Sequence, residues 1–475
     1  MPTVTTTRPL SLRTKLFYGF GSVAFGVKDN GFSYFLLIFY NQVMGLPAQT
    51  VGLAIMFALL VDAFLDPIVG QISDNWRSPW GRRHPFMYAA AIPVALSYLL
   101  LWSPPAGLNP NQLFFYLFGV AVLIRSFITL YEIPSSALAA ELTTEYDERT
   151  RLLSFRYLFG WIGGLIIYYA ALQLFLKPDA THKVGQLNPT GYAHYGLAAA
   201  GLMLFAILVS ALGTHREIPF LRSAPERKAG FSTLANEMFG TLAHASFLRI
   251  LVASLFTAMA GGLTLSISLY FSTFFWEFSS AQIALFTFAS FTAAVIAFAA
   301  APALSKALGK KASAMVLLLL GVTVGCTPIV LRILGVLPPN GDAILFPLIF
   351  AQNVASTGLI VTANILMSSM VADVVEDSEL RTGRRSEGLF FAANAFVAKA
   401  VSGIGIFSSS MILALVGFPQ HAKPGQVDEG VIRHLGLVYV PTLVTFYVLA
   451  VVFIAGYTIT RAGHEESLRK LAEGG

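Results

Sequence analysis

Twelve predominantly apolar stretches, each long enough to cross a bilayer and separated by short polar breaks, constrain this chain more than any other feature. They lie at about 16–44, 49–73, 85–103, 112–139, 152–176, 195–213, 250–275, 281–305, 313–331, 343–371, 388–417 and 435–459. A spanning helix needs about 20 such residues. In lipid every backbone N–H and C=O must be paired within the segment, so helices are the expected element throughout. At roughly 40 residues per span and connection, the 475 residues are used up with almost nothing left for a soluble domain. Only 12% of the residues are charged, which excludes a chain of two or three soluble domains. The reading is an all-α polytopic membrane protein in a lipid bilayer.

The basic residues give the orientation. Of 31, the loops and termini assigned to one side hold 22, the other side holds five, and four fall within spans. That bias places both termini in the cytoplasm. The polar, basic start Met1–Lys15 has no apolar core of the kind a secretory leader carries. The net charge of +6 is accounted for by cytoplasmic loops, so no nucleic-acid partner is expected. The single cysteine, Cys326, can form no intrachain disulfide. All eight histidines fall in loops or at span ends, so no metal or haem site is expected inside the membrane.

The longest cytoplasmic connection divides the chain into an amino-terminal bundle at 1–214, a central loop at 215–249 and a carboxy-terminal bundle with its tail at 250–475. A weak internal echo supports the division. Trp80-Gly81-Arg82-Arg83 follows the second span and Leu308-Gly309-Lys310-Lys311 the eighth, 228 residues later. Twelve transmembrane helices in two six-helix bundles, related as parallel repeats, resemble the major facilitator fold.

Eight ionisable residues fall within spans: Lys28, Asp29, Asp62, Asp66, Arg125, Glu132, Arg156 and Lys399. Each costs about 2.5 kcal/mol or more near the bilayer centre, so they should face a cavity or one another. Four acids and four bases balance only while every acid is ionised. Protonating one, or adding a cation, changes the charge of the cavity. Asp62 and Asp66 are four apart and share a helix face, where two carboxylates either share a proton or hold a cation between them. They are the coupling-site candidate; the bland alternative is that the charges only pair to lock helices together. Asn353 and Asn394 could hydrogen-bond substrate from the second half, or serve helix packing. Gly160, Gly163 and Gly164 read as close helix packing rather than a phosphate cradle, because no strand precedes them. Asp74 with Arg77, Arg82 and Arg83 reads as a cytoplasmic latch for one access state, and the segment holding Asp373, Arg384 and Arg385 as its counterpart in the other half.

Several stretches are similar to the glycoside-pentoside-hexuronide:cation symporters, a branch of the major facilitator superfamily. They are Gly26-Val-Lys-Asp29, Asp62-Ala-Phe-Leu-Asp66-Pro67 continuing through Asp74 to Arg83, and Glu132-Ile-Pro134 with Arg156. In the second half they are Asp373 through Glu376, Arg381 to Arg385, Glu387-Gly388 and Lys399. The resemblance runs from about residue 15 to 460. It implies a cation site on Asp62 and Asp66 with Thr129 and Lys399 nearby, and a substrate site at Lys28, Asp29, Glu132 and Arg156. It implies a transporter that carries a sugar, glycoside or sugar acid together with H+ or Na+, with no other cofactor. No enzyme activity is expected, since no nucleophile elbow or phosphate loop is present.

Three positions depart from the pattern. Ser135-Ser136 stands where many sugar-transporting relatives place an aromatic, and Trp161 is the candidate replacement for stacking on a sugar ring. Leu65 stands where some relatives carry an amide that can add an oxygen to a sodium site, which leans the coupling towards the proton. Arg125 has no expected counterpart. It either neutralises Asp29 or Asp62, or faces the substrate and selects an anionic group. The rival reading is a symporter of an organic anion or an amphiphile such as a lysolipid on the same scaffold. The expected setting is a bacterial inner membrane, the expected partners are a small-molecule substrate and a monovalent cation, and the expected state is a monomer.

Overall fold

The structure is a computed structural model that describes residues 10–143, 145–221, 245–382 and 387–458; at 146–147, 245, 372, 375–382 and 387–400 it describes the backbone only. Among the described residues the secondary structure is entirely helical, with twelve helices in succession along the chain and short 3-10 turns at Gly185–Leu187 and Ile218–Phe220. The first is composite: Leu12–Phe20, Val23–Asn30, a π turn at Gly31–Phe35, Leu36–Ile38 and a second π turn at Phe39–Val43. The next five are Ala48–Asn75, His84–Trp102, Pro110–Leu142, Tyr146–Ala170 with a π turn at Ala171–Phe175, and Pro189–His215. The seventh, Ala245–Tyr270, also ends in a π turn, Phe271–Phe275. Ser280–Leu308, Lys310–Ile333, Leu345–Thr382, Glu387–Leu415 and Glu429–Ala455 complete the set. Ten of these helices are long and apolar enough to cross a membrane, and Val401–Leu415 adds a shorter apolar stretch of the eleventh. The expected twelve-helix fold is the observed one.

Local chemistry sets the ends. Asn109 opens the fourth helix with a capping box, its side chain accepting from the Gln112 amide while Gln112 accepts from the Asn109 amide. Asn188 and Asp428 cap the sixth and twelfth helices in the same sense. Gly309 takes the turn before the ninth helix at φ +78°, a left-handed conformation suited to glycine.

The described residues form two compact units. One holds the chain as far as Leu221 together with Ser279–Ala284 and Gln420–Ala422, and the other holds the remainder. Four helix pairs recur in both units, and in the first unit helix two also lies against helix four. In the first, helix one lies against five and six, and helix three against four and six. In the second, helix seven lies against eleven and twelve, and helix nine against ten and twelve. The four pairs correspond one to one with a shift of six helices, which is a structural repeat far stronger than the four-residue echo in the sequence.

Glycines bring the first and fifth helices together. A Cβ on Gly26 would collide with the Gly160 carbonyl oxygen, and one on Gly163 would press on Val23. This is the close packing expected of Gly160, Gly163 and Gly164, and it carries Arg156 up to the ring of Phe25, with Cζ 4.6 Å from the centroid.

Candidate functional site

Seven of the eight expected intramembrane charges belong to the first unit, and the structure gathers them into two clusters. The fourth helix supplies both, because Arg125, Thr129 and Glu132 follow at i, i+4 and i+7 along one face.

The first cluster is closed at Asp62 and Arg125 and half-buried at Asp66. Asp62, on the second helix, is fully buried at 0% side-chain exposure, and Arg125 is 4% exposed. Arg125 Nη1 donates to Asp62 Oδ2 at 2.8 Å. The Thr129 hydroxyl lies 2.8 Å from Asp62 Oδ1 and 3.0 Å from Asp66 Oδ1, so one hydroxyl bridges the two carboxyl groups. The guanidinium also faces the buried ring of Phe32, with Cζ 4.5 Å from its centroid. Of the alternatives for Arg125, the structure therefore has the ion pair with Asp62. The residue stands in the carboxylate cluster, apart from Glu132 and Arg156.

The second cluster is open. Lys28 Nζ is buried and lies 2.9 Å from Asp29 Oδ1 and 3.7 Å from Glu132 Oε2. Asp29 is 60% exposed and Glu132 28%. An ionised side chain so exposed at mid-span belongs beside water rather than lipid tails. Both residues of the first helix stand just before the π turn at Gly31–Phe35, whose wider i→i+5 bonding is closed by the Leu36 amide on the Gly31 carbonyl. Single π turns of this kind recur at functional positions.

Arg156 belongs to the same region with its fork already engaged. Nη1 donates to Ser135 Oγ at 3.0 Å and Nη2 to the Glu132 carbonyl at 3.1 Å. The serine that replaces an expected aromatic is thus the partner of the arginine. Trp161 is 40% exposed on the fifth helix and Asn353 half-buried on the tenth. The side chains of Lys399 and Asn394 lie outside the described residues, as do Arg384 and Arg385.

At the ends of the second and fourth helices, Arg82 Nη2 and Arg83 Nε reach Glu141 Oε1 at 2.8 and 2.7 Å. Arg83 also pairs with Asp74 and donates to Ser73 Oγ, while Arg77 is exposed and donates to backbone carbonyls of Asp74 and Trp76. Glu141 was not singled out in the sequence, yet it receives both arginines. In the second unit Lys310 pairs with Asp373 at 2.6 Å. The two pairs are related by the repeat: Arg82 and Lys310 are 228 positions apart, Glu141 and Asp373 232. That near-equality was the available signal for Glu141.

Two repeated six-helix units of apolar helices with charges among them are the architecture of an integral membrane protein, and with the family match that follows they make a secondary transporter of the major facilitator fold. The chain belongs to the family described as MFS/sugar transport protein, whose model matches residues 17–461. It is 27% identical to an uncharacterized symporter of Synechocystis sp. over 97% of each chain. It is 25% identical to an isoprimeverose transporter of Lactiplantibacillus pentosus, over 86% of this chain and 81% of that one. A crystal structure of a D-xylose-proton symporter shares the fold at a TM-score of 0.61 and 16% identity, covering 94% of this chain and 98% of that one.

Proposed function

We propose that this transporter is a proton-coupled symporter that moves a sugar or glycoside across a bacterial inner membrane by alternating access, with both termini in the cytoplasm. The observation that carries the choice of ion is the position of Thr129. A hydroxyl has one hydrogen to donate, and Thr129 Oγ1 lies at hydrogen-bond distance from oxygens of both Asp62 and Asp66. If it donates to one carboxylate, a proton on the other supplies the second contact. Arg125 pairs with Asp62, so Asp66 is assigned the transported proton.

Lys28, Asp29 and Glu132 are assigned to the substrate. The exposed carboxylate of Asp29 and the half-buried one of Glu132, with a buried ammonium between them, present acceptors to sugar hydroxyls. The arginines are engaged elsewhere, Arg125 on Asp62 and Arg156 on Ser135 and the Glu132 carbonyl. That favours a neutral polyol over a sugar acid. The relative named as an isoprimeverose transporter supports the same class. Trp161, Asn353 and Asn394 are assigned to substrate and Lys399 to the coupling ion. The Asp74–Arg83 segment and the Asp373–Arg385 segment are assigned to gating.

The deciding experiment is substrate-induced proton uptake in proteoliposomes, in wild type, Asp62→Asn and Asp66→Asn, across a panel of sugars, sugar acids and amphiphiles. Proton uptake with a neutral glycoside that is lost in both variants is expected. Coupling retained in both would remove the ion site, and uptake confined to acids or amphiphiles would remove the substrate class.

A further inference from the structure

We infer that Arg125 sets the ion specificity of this transporter: its guanidinium occupies the carboxylate cluster as a tethered cation and thereby excludes Na+ and Li+. The inference rests on the reading of Asp62, Asp66 and Thr129 as the ion site and asks which ion that site can take.

A hard cation requires several oxygen ligands. Oxygens that meet at this site include the two of Asp62, Thr129 Oγ1 and Asp66 Oδ1. Arg125 Nη1 holds Asp62 Oδ2 at 2.8 Å, so one of the two oxygens of the most buried carboxylate is already taken by a positive group. An arginine cannot discharge by losing a proton. Its charge therefore persists through every step of a transport cycle in which it stays on Asp62. A second positive charge about 4 Å from the first is repelled strongly enough to weaken binding on the order of 1,000-fold at an effective dielectric near 20. A proton meets the same repulsion, but it binds one oxygen covalently and needs no shell of ligands, so the loss of an Asp62 oxygen to Arg125 does not bar it.

The surroundings fit a lodged side chain rather than an incidental contact. Phe32 covers the guanidinium with its ring face, and Arg125 Nε is buried without a hydrogen bond among the described residues. Asp62 and an aromatic face are thus the described anchors of the group. Leu65, which brings no oxygen between the two acids, acts in the same direction.

The test is Arg125→Ala in proteoliposomes, reading sugar uptake and thermal unfolding with NaCl, LiCl or choline chloride at equal ionic strength. Wild type is expected to be indifferent to the alkali ion in both readouts. Arg125→Ala is expected to gain uptake with Na+ about tenfold over choline, together with a Na+-dependent rise in its thermal midpoint. Arg125→Gln, which is longer and keeps a hydrogen-bonding group near Asp62, is the second variant should alanine fail to accumulate. A folded variant that ignores both alkali ions overturns the inference, and so does a wild type that Na+ stabilises. Failure of the underlying reading looks different: there, wild type takes up no protons with any sugar, whatever Arg125 does.

Discussion

The two ion clusters of the first unit share the fourth helix and lie within two turns of each other, yet they are built on opposite plans. Around Asp62 both carboxylate oxygens have partners, Arg125 on one and Thr129 on the other, and the group is sealed from solvent. Around Lys28 it is the cation that is buried, while the Asp29 carboxylate extends into the open and that of Glu132 is half-buried. A sealed cluster suits a small ion whose arrival or departure alters net charge by one. An open cluster suits a larger ligand that must exchange its water shell for fixed acceptors. The difference also separates stability from binding: charges in the first cluster should matter for folding, those in the second for recognition.

The largest effect is expected where the sealed plan is broken on one side only. Asp62→Asn strands the Arg125 charge, and a buried pair that loses one partner costs about 3–5 kcal/mol. Arg125→Gln should cost less, because Asp62 can take up a proton whereas Arg125 cannot shed one. Asp62→Asn with Arg125→Gln should recover part of the loss, read as a higher thermal midpoint than Asp62→Asn alone. Additive losses would mean that the pair is not a unit. Asp29→Asn should behave in the opposite way. Its stability should stay within about 1 kcal/mol of wild type, since Glu132 remains beside Lys28, while substrate affinity falls about tenfold or more in an equilibrium binding assay. A variant that unfolds with unchanged affinity would erase the contrast.

The ion pairs at the helix ends, Arg82 and Arg83 with Glu141 and Lys310 with Asp373, sharpen the comparison from outside it. Neutralising Arg82 or Asp373 should alter the rate of transport and leave cavity affinity unchanged, with a stability cost of about 1 kcal/mol or less for Arg82, because Arg83 stays on Glu141. An unchanged rate would remove the latch. Glu141→Gln touches both arginines and should exceed either single change in rate and stability.

The sequence made legible whatever depends on periodicity. Twelve apolar runs, the i, i+4 spacing of Asp62 and Asp66, and the glycines of the fifth helix each have a local pattern that dictates a face or an element. Partners across helices are another matter. Arg125 could have met Asp29, Asp62 or a ligand, since helix spacing names its face and not the neighbour that face meets. Glu141 resembled any acid at a helix end until the repeat related it to Asp373. The composite first helix was read as one run, because π turns at Gly31–Phe35 and Phe39–Val43 leave the apolar pattern intact. Arg156 was assigned by its chemistry to a substrate, but one of its two partners is a backbone carbonyl, which no residue type announces.

The smallest expected effect decides between those two uses of Arg156. In the observed geometry it braces the fifth helix on the fourth through Ser135 Oγ and the Glu132 carbonyl. Ser135→Ala removes one of the two bonds, so a brace predicts a loss of about 1 kcal/mol in stability and an unchanged KM for the sugar. An arginine that reaches for substrate predicts the reverse. Freed from Ser135, Nη1 would turn to the ligand, KM would fall, and the thermal midpoint would stay in place. Arg156→Lys separates them again. A single ammonium cannot span the hydroxyl and the carbonyl as the planar fork does, so a brace is weakened by lysine much as by loss of the serine. A purely electrostatic contact to substrate would survive the exchange.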